Sequence, residues 1–160
     1  VAKLPIRFYL TLVGGEEKTS SLSRSGYLDE LKKLCGTLNI NDRVTFIGPV
    51  AQDELFNWYS KGDIFVYPSL YENFGQPLLE AAAAGLPIVS TSVGVAKEII
   101  QDGETGFLVA GDDQEIADRI TQLADNNLRM KMGNALKKKV RNLYGWQKII
   151  DQYMDVYQSL

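Results

Sequence analysis

Five short apolar runs, the first three ended directly by a glycine or proline and all separated by segments of helical spacing, most narrow the folds open to this chain. Phe8 to Val13 stops at Gly14-Gly15, Val44 to Ile47 at Gly48-Pro49, and Ile64 to Tyr67 at Pro68. Pro87 to Thr91 is followed shortly by Gly94, and Gly106 to Val109 is the fifth run. Runs this short and apolar fit strands buried on both faces, which need helices above and below them. Tyr27 to Leu38, Asp53 to Tyr59, Gln76 to Ala84 and Val95 to Ile100 have that spacing, with Asp53 suited to an N-cap or first turn. The alternation predicts a parallel sheet of about five strands in a three-layer α/β/α, Rossmann-like sandwich.

After Asp112 the strand pattern ends and helical patterns take over. Ile116, Ile120 and Leu123 mark one helix, and Leu128, Met132, Ala135 and Leu136 a second. Trp146, Ile149, Ile150, Tyr153, Met154 and Tyr157 mark a third, whose wide aromatic face is expected to dock on something large. The expected organisation is therefore a sheet domain over residues 1–125 and C-terminal helices over 126–160 that pack on it or leave it. Serine-rich Glu16 to Gly26 is the one long polar connection, of the kind that borders a site mouth.

Composition removes several classes of chemistry. A chain of 160 residues with 45% apolar content is one ordinary domain, able to hide roughly 68–70% of its unfolded surface. The net charge of −3 and the pI near 5.0 come without a basic stripe, which argues against nucleic acid. Lys137-Lys138-Lys139 reads as the solvated face of a helix. The single cysteine excludes an internal disulfide, and Cys35, in line with Leu28, Leu31, Leu34 and Leu38, reads as a buried thiol in a reducing cytoplasm. No apolar run approaches the roughly 20 residues that cross a bilayer, and no basic-then-apolar leader opens these residues. With no histidine, there is no Ser-His-Asp or Cys-His pair and no mixed His/Cys zinc site. Asp112 and Asp113 read as a loop and helix N-cap, and no metal is expected.

The segment Glu72-Asn73-Phe74-Gly75-Gln76-Pro77-Leu78-Leu79-Glu80 carries the chemistry. It follows the carboxyl end of a strand, where parallel α/β sheets bind ligands. A helix is expected to start inside it, with Glu72 in the loop ahead and Glu80 about two turns in. Gly75 would let an anion approach the backbone N–H groups, and Pro77 costs nothing in a first turn. Glu80 would repel a phosphate, so a carboxylate this close to an anion site suggests an acceptor for a vicinal diol such as that of ribose. Glu72 would reach a different hydroxylated group.

This segment, with Tyr67-Pro68-Ser69-Leu70-Tyr71 before it and Ala81, Gly85-Leu86-Pro87-Ile88-Val89-Ser90-Thr91, Gly94, Glu98-Ile99-Ile100 and Gly103 to Val109 after it, resembles the carboxyl-terminal domain of GT-B fold, retaining glycosyltransferases of the "glycosyl transferases group 1" family. The likeness covers residues 6 to 125. It implies that Glu80 holds the ribose hydroxyls and that Glu72, in the catalytic position, touches the donor sugar. The backbone of Asn73, Phe74 and Gly75 would meet the sugar and diphosphate, Val50 would lie beside the base, Gly14 would line the phosphate side, and Ser69 would orient the loop. The donor is a UDP-, GDP- or ADP-linked sugar and no further cofactor is expected.

The family's first strand-helix unit, with the arginine and lysine that neutralise the diphosphate, and its acceptor-binding domain have no counterpart among these residues. The chain, which opens on Val1, is expected to be the donor-binding part of a longer enzyme, inactive alone, cytoplasmic or peripheral to the inner face of a membrane. In the strand order 3-2-1-4-5-6 the missing first strand is the central one. Either the strands present pair directly across the gap or another segment fills it. The acceptor would be a sugar, lipid or other hydroxyl compound. Other readings of the same residues are a nucleotide-binding assembly module without catalysis, or a relative that epimerises nucleotide sugars.

Overall fold

A computed structural model of the chain describes residues 1–15 and 26–159, so the polar connection over 16–25 lies outside the described residues. The chain divides into two compact units, Val1–Trp58 and Tyr59–Leu160.

The first unit holds β1 (Leu10–Val13), α1 (Tyr27–Thr37), a single 3-10 turn and β2 (Val44–Gly48). β1 and β2 pair in parallel, Leu10 opposite Val44 and Leu12 opposite Phe46, with the register slipping where Val13 meets Gly48. The strand starts later than the apolar run because Phe8 N–H donates to the Pro5 carbonyl at 3.0 Å. The buried Arg43 guanidinium ties down the preceding residues, donating to the carbonyls of Leu4 at 3.1 Å and Pro5 at 3.3 Å. Cys35 is buried as a free thiol, but Leu34 and Leu38 are exposed. The buried face of α1 is thus narrower than its row of leucines. Thr11 and Thr45 are exposed too, so β1 and β2 are half-buried, with side chains alternating across the sheet. Helix α2 (Gln52–Lys61), opened by Asp53 and Glu54 in its first turn, spans the boundary residue.

The second unit contains β3 (Phe65–Tyr67), α3 (Gln76–Ala84), β4 (Ile88–Thr91), α4 (Ala96–Ile99), β5 (Gly106–Val109), α5 (Asp113–Gln122), α6 (Asn126–Tyr144) and α7 (Trp146–Gln158). β4 is central, parallel to β3 on one side and β5 on the other, with Val89 opposite both Val66 and Phe107. All four of its residues are buried. The core beneath it is built from Leu78, Ala81 and Ala82 of α3, Ile88, Ile99, and Leu136 and Val140 of α6. Small residues on α3 let α6 come close. A Cβ on Gly133 would lie 2.1 Å from the Gly85 carbonyl oxygen, so the crossing requires glycine there. Asp112 caps α5 as expected, its carboxylate accepting from Gln114 N–H and Glu115 N–H, each at 2.9 Å.

The five strands therefore form two parallel sheets, of two and three strands, and no ladder joins β1–β2 to β3–β4–β5 among the described residues. These are the neighbours of the order 3-2-1-4-5-6 with its first strand left out, 3-2 and 4-5-6. Direct pairing across the gap does not occur in the described strands. The segment after residue 125 is mixed in character: α6 lies in the core of the second unit, whereas α7 buries none of its residues. The aromatic face of α7 is open, with Trp146 81% and Tyr157 68% exposed. Among the described residues no helix is long and apolar enough to cross a membrane.

Leu136 is fully buried where Trp146 is open. Leu136→Ala is expected to cost about 2–5 kcal/mol of unfolding free energy, and Trp146→Ala no more than about 0.5 kcal/mol. Denaturant titration of the two variants checks this; equal losses would contradict the placement of α6 and α7.

Candidate functional site

The loop from Pro68 to Gly75 runs from the carboxyl end of β3 to the amino end of α3, and its shape is fixed by bonds to its neighbours. Thr91, the last residue of β4, donates its hydroxyl to the Ser69 carbonyl. The Ser69 hydroxyl in turn donates to the Tyr71 carbonyl at 2.8 Å, a local turn that Ser and Thr side chains favour. The Tyr71 hydroxyl donates to Asn73 Oδ1 at 2.7 Å. Further on, Val95 N–H donates to the Phe74 carbonyl at 2.7 Å. That bond needs Gly94, where a Cβ would stand 2.4 Å from the same carbonyl oxygen.

Gly75 ends the loop with φ +85°, in the left-handed region that favours glycine. It is buried, and a Cβ on it would meet Leu78 Cδ1 at 2.9 Å and Glu72 Cγ at 3.2 Å. The missing side chain makes room for Leu78 and Glu72. α3 starts at Gln76, with Pro77 in its first turn, so Glu80 sits in the second turn, nearer the amino end than the sequence suggested.

Each glutamate is held by a tyrosine. The Tyr67 hydroxyl donates to Glu72 Oε2 at 2.6 Å, and Phe74 N–H donates to Glu72 Oε1 at 3.3 Å. The bond from Tyr67, then that from Phe74, with Asn73 and Gly75 N–H adding to them, holds the Glu72 carboxyl below the usual carboxylate range. The Tyr59 hydroxyl donates to Glu80 Oε2 at 3.0 Å, and the Gln76 amide to Glu80 Oε1 at 3.0 Å. Burial, then the bond to its carboxylate, raises each phenol: Tyr67 is pushed up to about 12, and Tyr59 is also well above the ordinary value. Both stay neutral donors through the physiological range.

In the first unit, Gly14 and Gly48 close the ends of β1 and β2, Gly14 N–H donating to the Gly48 carbonyl at 2.9 Å. They line a cavity of about 430 Å³ with Lys32, Phe46 and Pro49 among its walls. The Lys32 ammonium stands 6.0 Å from the centre of the Phe46 ring. Val50 follows Pro49 and is half-buried.

The family profile of the "glycosyl transferases group 1" matches residues 2–140. The chain belongs to this family. D-inositol 3-phosphate glycosyltransferase of Streptomyces coelicolor is 34% identical over 159 residues, 98% of this chain and 34% of the relative. N-acetyl-alpha-D-glucosaminyl L-malate synthase of Bacillus anthracis is 38% identical over 130 residues, 80% of this chain and 34% of the relative. The chain thus spans about a third of the length of these curated relatives. Among solved structures, sucrose-phosphate synthase of Thermosynechococcus elongatus superimposes with a TM-score of 0.80 at 32% identity, over 93% of this chain and 37% of the other. Anabaena HepE in complex with UDP-glucose superimposes with a TM-score of 0.86 at 25% identity, over 99% of this chain and 43% of the other. The parallel α/β architecture is that of GT-B glycosyltransferases.

In this member of the family, Glu72, Asn73, Phe74, Gly75 and Glu80 lie together around the start of α3, and Ser69 shapes the loop that carries the first of them. Gly14 and Val50 belong to the other unit. Sequence reasoning missed Tyr59, Tyr67 and Thr91 as partners of the site. Only the position of Tyr67, close before the loop, hinted at its role.

The fold favours the neutral form of Tyr67, so that contribution to stability is complete below the ordinary tyrosine value of 10.0 and is lost as pH rises towards about 12. Denaturation midpoints are expected to fall across this window, and less so in Tyr67→Phe. At the acid end, the depressed Glu72 contributes above its ordinary value of 4.5 and loses that contribution as pH drops through its lowered one. Superimposable alkaline curves for the two proteins would contradict the Tyr67 bond.

Proposed function

We propose that this chain is the donor-binding part of a retaining glycosyltransferase, one that transfers a hexose from a nucleoside diphosphate to a hydroxylated acceptor. The observation that carries the reading is the pair of glutamates at the amino end of α3, each fixed by a tyrosine hydroxyl and separated by a glycine turn. The binding of UDP-glucose by Anabaena HepE, which shares the fold over 99% of this chain, supports a nucleotide sugar as the ligand class. The relatives named as glycosyltransferases support transfer over hydrolysis.

On this reading the negatively charged donor lies near the amino end of α3, where the helix dipole and backbone N–H groups favour anions. Glu80 accepts from the ribose diol, each hydroxyl donating to a carboxylate oxygen. Glu72 accepts from a hydroxyl of the hexose and orients it, and the backbone of Asn73, Phe74 and Gly75 meets the sugar and diphosphate. Ser69 keeps the loop in shape.

With retention, the acceptor enters on the face from which the diphosphate leaves. The protein then has chiefly to steady the charge growing on the leaving group and to hold the sugar still, work that fixed dipoles and aimed carboxylates perform. Neither glutamate needs to form a covalent bond, and the reading asks for no metal.

Replacement of Glu80 tests the assignment. Glu80→Ala is expected to weaken binding of the nucleotide sugar by about 2–4 kcal/mol, the scale of two charge-assisted hydrogen bonds. Calorimetry on the full-length enzyme reads this; an unchanged affinity would overturn the role given to Glu80.

A further inference from the structure

The two tyrosines that hold the glutamates belong to one row of rings. Tyr59 meets Phe65 edge to face, with centroids 5.6 Å apart and planes at 66°. Phe65 stacks on Tyr67 at 6.0 Å and 23°. Residues 65 and 67 of β3 share one face of the strand, and all three rings pack against the buried core of the second unit. The row ends in hydroxyls at both tips, one on Glu80 Oε2 at 3.0 Å and the other on Glu72 Oε2 at 2.6 Å. A rigid apolar strip thus reaches both carboxylates from the protein side.

We propose that Tyr59 and Tyr67 are positioning residues with separate duties: Tyr59 aims Glu80 at the nucleoside and Tyr67 aims Glu72 at the sugar. This rests on the reading of the site given above. The chemistry of the bonds supports the division. A neutral phenol acts here as a donor, taking up one lone pair of the carboxylate and fixing the direction of the others. Burial holds both phenols in that form. On Glu80 the second oxygen is met by Gln76, an exposed side chain that an incoming diol can replace, whereas Tyr59 is half-buried and set in the ring row. On Glu72 the second oxygen is met by Phe74 N–H, part of the pinned loop. The inner partner is a phenol in both cases. Which hydroxyl of a sugar is accepted depends on the angle at which Glu72 presents its free lone pairs, so Tyr67 also governs discrimination between donors differing in one hydroxyl.

The two duties predict a pattern that a purely structural role would not produce. Tyr→Phe keeps each ring in the row and removes only the hydroxyl. Binding of UDP, GDP and ADP and of their glucose conjugates is measured by calorimetry on the full-length enzyme, and the pair that wild type binds best is followed. Tyr59→Phe is expected to weaken the free nucleotide and the nucleotide sugar alike, by about 5- to 20-fold. Tyr67→Phe is expected to leave the free nucleotide unchanged and to weaken the nucleotide sugar by a similar factor. On a Glu72→Gln background, Tyr67→Phe should add less than about 2-fold, because its partner is already altered.

Equal losses for both ligands in Tyr67→Phe, or no loss in either variant, would overturn the proposal. If Glu72→Gln and Glu80→Ala weaken binding while the tyrosine variants do not, the positioning roles fail and the site stands. If the glutamate variants bind as wild type does, or none of the three pairs binds, the reading of the site itself fails. Should a phenylalanine variant not fold, incorporating 3-fluorotyrosine in the wild-type chain answers the same question. The carboxyl carbon signals of Glu72 and Glu80 should then shift with the acidity of the phenols, and fixed signals would overturn the proposal.

Discussion

The Glu72 carboxylate is gripped from two directions, by a phenol rising from β3 and by the backbone N–H of Phe74 two residues ahead. The grip works only because the chain turns back on itself. Gly75 takes a left-handed conformation that leaves space for the Glu72 side chain, and Gly94 lets Val95 N–H reach the Phe74 carbonyl. Glu72 Cγ lies 3.2 Å from where a Cβ would stand on either glycine. One carboxylate stem is thus wedged between two bare stretches of backbone. An alanine at either position would press on it or on the turn that holds it.

The second carboxylate depends on the seat of a helix. α3 is short, yet Leu78, Ala81 and Ala82 are fully buried beneath it and Gly133 admits α6 against its carboxyl end. A helix fixed at both ends by left-handed glycines, Gly75 and Gly85, cannot slide without breaking those turns. Glu80 is carried on that frame, and Tyr59 joins it to the same ring row that supports Glu72. The small residues of Ala81 to Gly85 therefore serve the site as much as the core. They bring α6 close enough to make the position of a surface carboxylate a property of the interior.

Much of this was legible in the sequence, and what was not has a common cause. α3 and β5 fall where the periodicity and the breakers put them, and Asp112 caps a helix as its place after a glycine suggests. Cys35 is buried as read, but Leu34 and Leu38 beside it are exposed, because periodicity gives a face and not its width. Strands of the first unit read as buried on both faces, and Thr11 and Thr45 prove open. Division into two sheets depends on which strands find each other, a non-local choice that short apolar runs do not encode. Tyr59 and Glu80 lie 21 positions apart in sequence, so nothing local announces their bond. Glutamates could be picked out by type and spacing, whereas their partners emerged only from packing.

The central claim is that Glu72 and Glu80 together meet an activated sugar, and carboxyl-detected NMR addresses it most directly. With glutamate side-chain carboxyl carbons labelled and assigned, the enzyme is titrated with the nucleotide sugar it binds best. The account predicts that both signals move together and saturate with the ligand, with Glu72 alone reverting when the sugar-free nucleotide is substituted. Saturable binding that leaves both signals in place would contradict it.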